Sequence, residues 1–290
     1  MHAVVCLKQV PDTTEVKIDP STGTLIRAGV PSIVNPFDAH ALEEALRLKD
    51  NYGGRVTVIS MGPPQASQAL KKAVSYGADE SILLSDRAFA GSDTLATSYI
   101  LTQAIRKVAE KEPVDIVFAG KMAIDGDTGQ VGPGIATRLN FEQLTYVSGI
   151  ESIDLDKGEI SVWRALGDGR ELLKTKLPAL ITVTDEINDV RYGSLEDQVR
   201  AARYEVITWT KDQLDLDLAR CGLKGSPTTV ARSFTPQARV KRQTDLVPDG
   251  LEKPREAAKA LAEKLFGLTS VKKAAIEGRE LAAKAQGGES

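Results

Sequence analysis

The sequence predicts an α/β protein with a doubly wound, mostly parallel sheet. Short apolar runs rich in valine alternate with longer amphipathic stretches through residues 1–120, and this alternation of strand and helix is typical of the fold class. The runs lack the apolar–polar alternation of a half-solvated sheet, which indicates strands buried on both faces. With 290 residues and 42% hydrophobic residues, the chain is long enough to bury a substantial core.

Four apolar runs are predicted as strands: "HAVVCLK", "RVTVISMG", "SILLSD" and "DIVFAGK". Three amphipathic stretches between them are predicted as helices: "DAHALEEALRLKDNYG", "PPQASQALKKAVSYGA" and "SDTLATSYILTQAIRKVAEKEP". We expect Asp38 to cap the first helix and Gly77 to end the second. The third is expected to begin at a cap formed by Ser92 or Asp93 and to stop before Pro113.

The remaining elements are less regular. A long connection after the first strand contains "EVKID" and "TLIRAG", which are predicted to form a small hairpin. A second hairpin pairs "EISVWRAL" with "ELLKTKL" around a turn at 167–169, and the buried strand "PALITVTDE" follows it. After Glu186 we find a short helical piece and a strand but no new βαβ unit, and we interpret this segment as an arm leaving the domain.

Composition and charge exclude several protein classes. The net charge of −3 does not indicate a polyanion-binding protein, and no apolar run approaches the roughly 20 residues that span a bilayer. The N-terminal "MHAVVCLKQV" is typical of a strand and not of a signal peptide. Cys6 and Cys221 belong to no metal or redox pattern and are predicted to be free thiols. We therefore expect a cytoplasmic protein that binds no nucleic acid and does not insert into a membrane.

The segment "GKMAIDGDTGQVGPG", from Gly120 to Gly134, is here called the glycine loop and contains five glycines. It directly follows the fourth predicted strand, and open α/β sheets bind ligands beyond the carboxyl ends of their strands. Pro133 lies in the first turn of a predicted helix, whose N–H groups and dipole favour a phosphate. Thr128 and Gln130 offer neutral hydrogen bonds. The loop therefore predicts a phosphate site, and the alternative is a turn that binds nothing.

Asp125 and Asp127 do not fit a direct role in phosphate binding, because like charges repel. We expect them to brace the turn through backbone N–H groups or to contact sugar hydroxyls. The glycine spacing matches neither a P-loop nor the dinucleotide-binding GxGxxG pattern. The segments "NPFDAH" and "SMGPPQ" are predicted to lie at the same sheet edge, so three loops would form one pocket.

The chain offers no catalytic or metal-binding constellation of its own. His2 and His40 are its two histidines, and neither belongs to a recognisable Ser/His/Asp or Cys/His set. Any redox or group-transfer chemistry would therefore be supplied by a cofactor.

Several motifs together resemble the β subunit of electron transfer flavoproteins. They are "VCLKQVPD" (5–12), "NPFDAHALEEALRLK" (35–49), "GKMAIDGDTGQVGP" (120–133), "LKTKLPALITVTDEIND" (173–189) and "RYGSL" (191–195). The motifs occur in the family's order, and the similarity covers roughly residues 1–235. The resemblance implies an adenine nucleotide α-hydrolase-like fold and a heterodimer with an α subunit that carries an electron-transferring FAD.

The resemblance also implies which residues contact the nucleotide. Carried over position by position, they are Cys6, Asn35, Pro36, Phe37, Asp38, Met61, Gly120, Lys121, Met122, Ala123, Ile124, Asp125, Gly126, Asp127, Thr128, Gly129, Gln130, Val131 and Gly132. The pattern "DGDT-x-QVGP" is similar to members that bind FAD here and bifurcate electrons from NADH. Such a subunit passes one electron to the α-subunit flavin and the other to a low-potential acceptor such as ferredoxin.

Two alternatives remain. One is a non-bifurcating β subunit that holds structural AMP and carries electrons between an acyl-CoA-type dehydrogenase and a membrane quinone reductase. The other is a nucleotide-sensing binding module without a redox role. The family's partner-recognition segment matches Arg191, Tyr192 and Leu195, with Leu195 as an apolar anchor for a dehydrogenase.

These expectations divide the chain into three parts. Residues 1–188 form a nucleotide-binding α/β domain, and residues 189–236 form a partner-recognition loop and an arm that contacts the α subunit. Residues 237–290 form a C-terminal helical extension with two amphipathic helices and a break near Gly267.

Overall fold

A computed structural model describes residues 1–12, 31–230 and 253–267. The chain divides into two compact units, Met1–Phe234 and Thr235–Ser290. The strands of the first unit are β1 (His2–Cys6), β2 (Gln9–Pro11), β3 (Ser32–Val34), β4 (Arg55–Met61), β5 (Glu80–Leu84), β6 (Ile116–Gly120), β7 (Glu142–Asp154), β8 (Glu159–Ala165), β9 (Arg170–Lys176), β10 (Ala179–Val183) and β11 (Ile207–Trp209). Its helices are α1 (Pro36–Tyr52), α2 (Ser67–Tyr76), α3 (Thr94–Ala109), α4 (Val131–Leu139) and α5 (Leu195–Arg203).

The central sheet has nine strands in the order β11-β5-β4-β1-β6-β10-β7-β8-β9, and β2 pairs with β3 in a separate ribbon. Neighbours from β11 to β7 pair in parallel, whereas β7, β8 and β9 are antiparallel. The chain winds outward from β1 to β4 and β5 and then returns to β6 on the other side of β1. The predicted doubly wound, mostly parallel fold is confirmed, and its winding reverses between β1 and β6.

The core consists of two layers, one on each face of the sheet. Val5 belongs to the layer under α1 and α2, and its neighbour Val4 belongs to the layer under α3 and α4. All five residues of β1 and of β10 are buried, as predicted for strands covered on both faces. Cys6 and Cys221 lie in the layer under α3 and α4 and are free thiols, as predicted.

The helix ends follow the sequence signals with one exception. Asp93 caps α3 by accepting hydrogen bonds from the N–H groups of Leu95 and Ala96, and Gly77 ends α2 with a φ of 123°. The prediction that Asp38 caps α1 is wrong. The N-cap is Asn35, and the Asp38 carboxylate turns instead toward N–H groups at the ends of β1 and β6.

The antiparallel part of the sheet contains the predicted second hairpin. The strands β8 and β9 pair in register, and the N–H of Leu166 donates to the carbonyl of Gly169 across the turn. The long strand β7 is not predicted from the sequence, because its mixed burial follows neither a continuous apolar run nor a strict alternation. The predicted hairpin of "EVKID" and "TLIRAG" lies outside the described residues.

The segment after Glu186 differs from the arm we expected. The strand β11 pairs in parallel with β5 and extends the central sheet, and α5 packs on α2. The hydroxyl of Tyr204 accepts a hydrogen bond from the N–H of buried Ser81, at 2.9 Å. These residues belong to the first unit, and the three-residue strand β11 pairs with the edge of β5. The predicted domain boundaries at residues 188 and 236 remain predictions.

The second unit contains one described helix, α6 (Pro254–Gly267). It is the first of the two helices predicted for the C-terminal extension, and the second lies outside the described residues. No helix in the described part of the chain has the length and apolar character needed to cross a membrane.

Candidate functional site

The glycine loop lies at the point where the winding of the sheet reverses. Gly120 is the last residue of β6, and α4 begins at Val131, eleven positions further along the chain. The neighbouring strand β1 ends at Cys6, which pairs with Ala119. Ligands of doubly wound sheets bind at this crevice between diverging connections.

Asn35 holds the first half of the glycine loop. Its side chain is fully buried, its Nδ2 donates to the carbonyl of Met122 at 2.9 Å, and its Oδ1 accepts from the N–H of Ile124 at 3.1 Å. Pro36 follows Asn35, whose φ of −53° and ψ of 124° are extended. Since both ends of the buried amide are paired, the loop is fixed to the start of α1.

Asp38 joins the two strands that border the crevice. Its carboxylate accepts hydrogen bonds from the N–H of Lys8 at 2.7 Å and from the N–H of Gly120 at 3.0 Å. Burial raises the pKa of Asp38 to about 7, and these hydrogen bonds together with the charge of Lys8 oppose the rise. A Cβ atom at position 120 would lie 2.6 Å from Oδ1 of Asp38. This position therefore requires glycine.

Two lysines lie at the same crevice, and each is near an acid. The Nζ of Lys8 is 2.7 Å from Oδ1 of Asp125. The Nζ of Lys121 lies 4.4 Å from the centre of the Phe37 ring and 3.7 Å from Oδ1 of Asp185. Asp125 thus forms an ion pair with Lys8, in place of the backbone brace expected from the sequence.

Three other glycines of the loop have different roles. Residues 125–128 are exposed, and a Cβ atom at Gly126 would meet nothing within 4 Å. Gly129 has a φ of +62°, which favours glycine. A Cβ atom at Gly132 would lie 2.6 Å from Cγ2 of Thr182, so glycine lets the start of α4 approach β10 closely. Of these three positions, Gly126 alone leaves unfilled space beside its Cα.

The first turn of α4 has no side-chain cap. Its N-cap is Gln130, which makes no capping hydrogen bond. The Oε1 of Gln130 instead accepts from Oγ1 of Thr94 at 2.9 Å. An α-helix begins with N–H groups that lack intrahelical acceptors, so this turn is suited to an anion.

The structure places Cys6 and Met61 at the ends of β1 and β4, on the same sheet edge as the glycine loop. Cys6 is 7% exposed and packs in the core, where burial and the charge of Asp38 raise its pKa to about 12. Its thiol is therefore neutral at physiological pH. Sequence reasoning missed Lys8 and Asp185 as site residues, although the position of Lys8 directly after the first predicted strand was a signal.

The chain around the first predicted partner-recognition residue, Arg191, is fixed to α1 by two buried acids. Arg191 forms two hydrogen bonds with the carboxylate of Glu43, at 2.8 and 3.1 Å. The side-chain amide of Asn188 donates to Glu44 at 2.9 Å, and its Oδ1 lies 3.0 Å from Nδ1 of His40. These contacts position the chain that follows.

Residues 191–195, here called the recognition segment, present apolar side chains to solvent. Tyr192 is 95% exposed and Leu195 is 78% exposed. Between them, a Cβ atom at Gly193 would lie 1.6 Å from the carbonyl oxygen of Ser75. The backbone is therefore pressed against the end of α2 while the two apolar side chains point outward.

A family profile described as the electron transfer flavoprotein domain matches residues 22–214. The chain belongs to the electron transfer flavoprotein family. It is 53% identical over 267 residues to protein FixA of Azotobacter vinelandii, an overlap of 92% of this chain and 95% of that protein. It is also 53% identical over 266 residues to the electron transfer flavoprotein subunit beta of Clostridium acetobutylicum, covering 91% and 98% of the two chains.

A third relative, the electron transfer flavoprotein subunit beta of Thermoanaerobacterium thermosaccharolyticum, is 50% identical over 266 residues. Membership in this family confirms the resemblance seen in the motifs. It implies a flavin or nucleotide ligand in general terms, and β subunits of the family normally pair with an α subunit.

Proposed function

We propose that this chain is the β subunit of a bifurcating electron transfer flavoprotein, which binds FAD at the glycine loop and receives hydride from NADH. The bound FAD would supply the redox chemistry, which divides the two electrons of the hydride between the FAD of the α subunit and a low-potential acceptor such as ferredoxin. The residues of this chain would bind and orient it, and we propose the cytoplasm as the place of the reaction.

The observation that carries this proposal is the uncapped first turn of α4 behind the glycine loop, at the point where the winding reverses. Gln130 leaves the N–H groups of this turn without a side-chain acceptor, and its amide is held by Thr94. A dinucleotide presents a diphosphate, which is the group that a helix N-terminus at a sheet switch point accommodates.

The hydrogen bonds that hold the glycine loop favour a preformed site. Asn35 and Asp38 hold the loop and the strand ends through four hydrogen bonds from buried side chains. A preformed loop avoids the entropy cost of ordering during binding. Two lysines at the crevice are paired with acids, Lys8 with Asp125 and Lys121 with Asp185. A diphosphate would therefore compete with these two carboxylates for the lysine amino groups.

The recognition segment supports a docking role in the same complex. Tyr192 and Leu195 expose apolar surface on a backbone that Arg191 fixes to Glu43. An exposed apolar side chain on a fixed segment fits an interface anchor. We propose that a dehydrogenase docks on Leu195.

The decisive experiment is to purify the complex of this chain with its α subunit and to count the released FAD and AMP. We expect two FAD per complex, together with NADH-dependent reduction of ferredoxin. The variant Gly126→Asp adds a negative charge where the structure has unfilled space, so it should fold normally. Its β-subunit FAD should be lost while the α-subunit FAD stays.

The matched control is Gly126→Asn, which adds the same volume without the charge. This variant should keep more of the β-subunit FAD than Gly126→Asp. One FAD and one AMP per wild-type complex would overturn bifurcation and support a non-bifurcating carrier with structural AMP. Two FAD retained in Gly126→Asp would show that the glycine loop does not bind the diphosphate.

A further inference from the structure

A cationic cavity lies on the face of the sheet that carries α3 and α4. It has a volume of about 380 Å³, within the range of small-molecule sites, and its lining includes Arg138, Arg220 and Lys224. Among the described residues that line it, none is acidic. The glycine loop contributes no residue to this lining, although the lining residue Arg138 donates a hydrogen bond to the last residue of the loop, Gly134.

The three cations have no carboxylate partner among the described residues of the first unit. Among its described residues, no carboxylate lies within 4.0 Å of the charged nitrogens of Arg138, Arg220 or Lys224. The nearby acids are occupied elsewhere. Asp93 accepts hydrogen bonds from α3 and from Thr228, and Asp217 accepts one from the N–H of Ala219.

The guanidinium of Arg138 is held by two backbone carbonyls, which leave part of its hydrogen-bonding capacity unused. Its Nη1 donates to the carbonyl of Gly134 at 2.9 Å and its Nη2 to the carbonyl of Leu95 at 3.3 Å. Its Nε is buried and has no hydrogen-bond acceptor in the described part of the chain. Burial, together with repulsion from Arg220, lowers the pKa of Arg138. A guanidinium in this state gains free energy when an anion arrives.

Arg220 and Lys224 lie in a tight turn that forms one wall of the cavity. The guanidinium of Arg220 stacks on the ring of Tyr99, 4.0 Å from its centre. A Cβ atom at Gly225 would lie 2.0 Å from the carbonyl carbon of Arg220, so the chain turns back on itself between Arg220 and Lys224. The hydroxyl of Ser226 donates to the carbonyl of Gly222 at 2.7 Å. The two cations are therefore presented by fixed backbone.

A second cavity of the protein provides a contrast. It has a volume of about 470 Å³ and is lined by residues that include both Lys71 and Glu205. Its charges are balanced, so it does not indicate an anionic ligand. The cationic cavity is somewhat smaller, and its lining carries three cations and no described acid.

From these observations we infer that the cavity bounded by Arg138, Arg220 and Lys224 binds a small molecule that carries a diphosphate. Two guanidinium groups and one ammonium group match a ligand with at least two negative charges, since arginine recognises phosphate through paired hydrogen bonds. The concave shape favours a small ligand over an acidic protein surface. This site is distinct from the glycine loop and holds whether or not the proposed bifurcation is correct.

The test is calorimetric titration of inorganic pyrophosphate into the complex of the full chain with its α subunit, with its own nucleotides bound. We expect saturable binding that weakens as salt concentration rises. The double variant Arg220→Gln/Lys224→Gln, at two exposed positions, should bind pyrophosphate at least about tenfold more weakly.

Two controls separate this site from others. The double variant Lys71→Gln/Lys72→Gln also removes two cations, one of which lies over a tyrosine ring, and should bind pyrophosphate like wild type. The nucleotide content of Arg220→Gln/Lys224→Gln should equal that of wild type, because neither residue lies in the glycine loop. The proposal is overturned if wild type does not bind pyrophosphate or if Arg220→Gln/Lys224→Gln binds it equally well.

Discussion

The carboxylate of Asp38 accepts a hydrogen bond from the N–H of Gly120, and this contact ties the first turn of α1 to the end of β6. The two residues are 82 positions apart in the chain. The same carboxylate reaches the N–H of Lys8 beyond β1, so one buried side chain closes the strand ends where the winding reverses. The contact leaves no room for a side chain at position 120.

Gly120→Ala should destabilise the protein by about 1–3 kcal/mol through overpacking. Its Cβ would lie 2.5 Å from Cβ of Phe37 and 2.6 Å from Oδ1 of Asp38. Gly126→Ala is the matched control, since it adds the same methyl group where nothing lies within 4 Å. Urea unfolding of the two variants measures the difference. Equal stability of the two would contradict the close approach at Gly120.

The raised pKa of Asp38 predicts a pH dependence of folding stability. Its carboxyl binds a proton more tightly in the folded chain than in the unfolded chain. Its contribution to stability is therefore complete at low pH and is lost as pH rises from near 3.8 to about 7. In this window the advantage of wild type over Asp38→Asn should shrink, with a maximal slope of about 1.4 kcal/mol per pH unit.

Urea unfolding at several pH values between 4 and 8 checks this prediction. Asp168→Asn, which alters an exposed carboxyl in the turn between β8 and β9, should follow the pH dependence of wild type. A constant difference between wild type and Asp38→Asn across the window would show that the carboxyl of Asp38 titrates normally.

Tyr204→Phe should destabilise the protein by about 1–3 kcal/mol, because it leaves the buried N–H of Ser81 without its acceptor. Tyr192→Phe removes the same hydroxyl from a side chain that is 95% exposed and should have no measurable effect. Thermal unfolding of the two variants gives the comparison. If Tyr204→Phe unfolds at the wild-type temperature, the contact between α5 and the edge of the sheet is not stabilising.

Leu195→Ala should leave folding and nucleotide content unchanged, because the side chain is 78% exposed. If Leu195 is the anchor for a dehydrogenase, the variant should weaken that complex by at least about 2 kcal/mol. Stopped-flow measurement of flavin reduction by the physiological partner reports the effect. Leu218→Ala removes a side chain that is 48% exposed outside the recognition segment and should transfer electrons like wild type. Unchanged kinetics in Leu195→Ala would rule out its anchor role.

Much of the fold is readable in the sequence because its signals are local. The buried strands are short apolar runs, the ends of α2 and α3 carry Gly77 and Asp93, and the second hairpin has its turn residues at 167–169. The position of the glycine loop at the carboxyl edge of the sheet follows from the order of strands and helices alone.

The sequence by itself therefore determined the fold class, the family and the place of the candidate site, because periodicity and motif order are properties of neighbouring residues. Tertiary structure alone decided the partners of the charged side chains. Lys8 and Asp125 form an ion pair across 117 positions of the chain. Asp38 does not cap α1 as expected, and its carboxylate accepts hydrogen bonds from N–H groups at two strand ends. The tertiary structure also decided that β11 joins the sheet. The edge of β5 would otherwise be unpaired, and the sequence of β11 does not show which strand it pairs with.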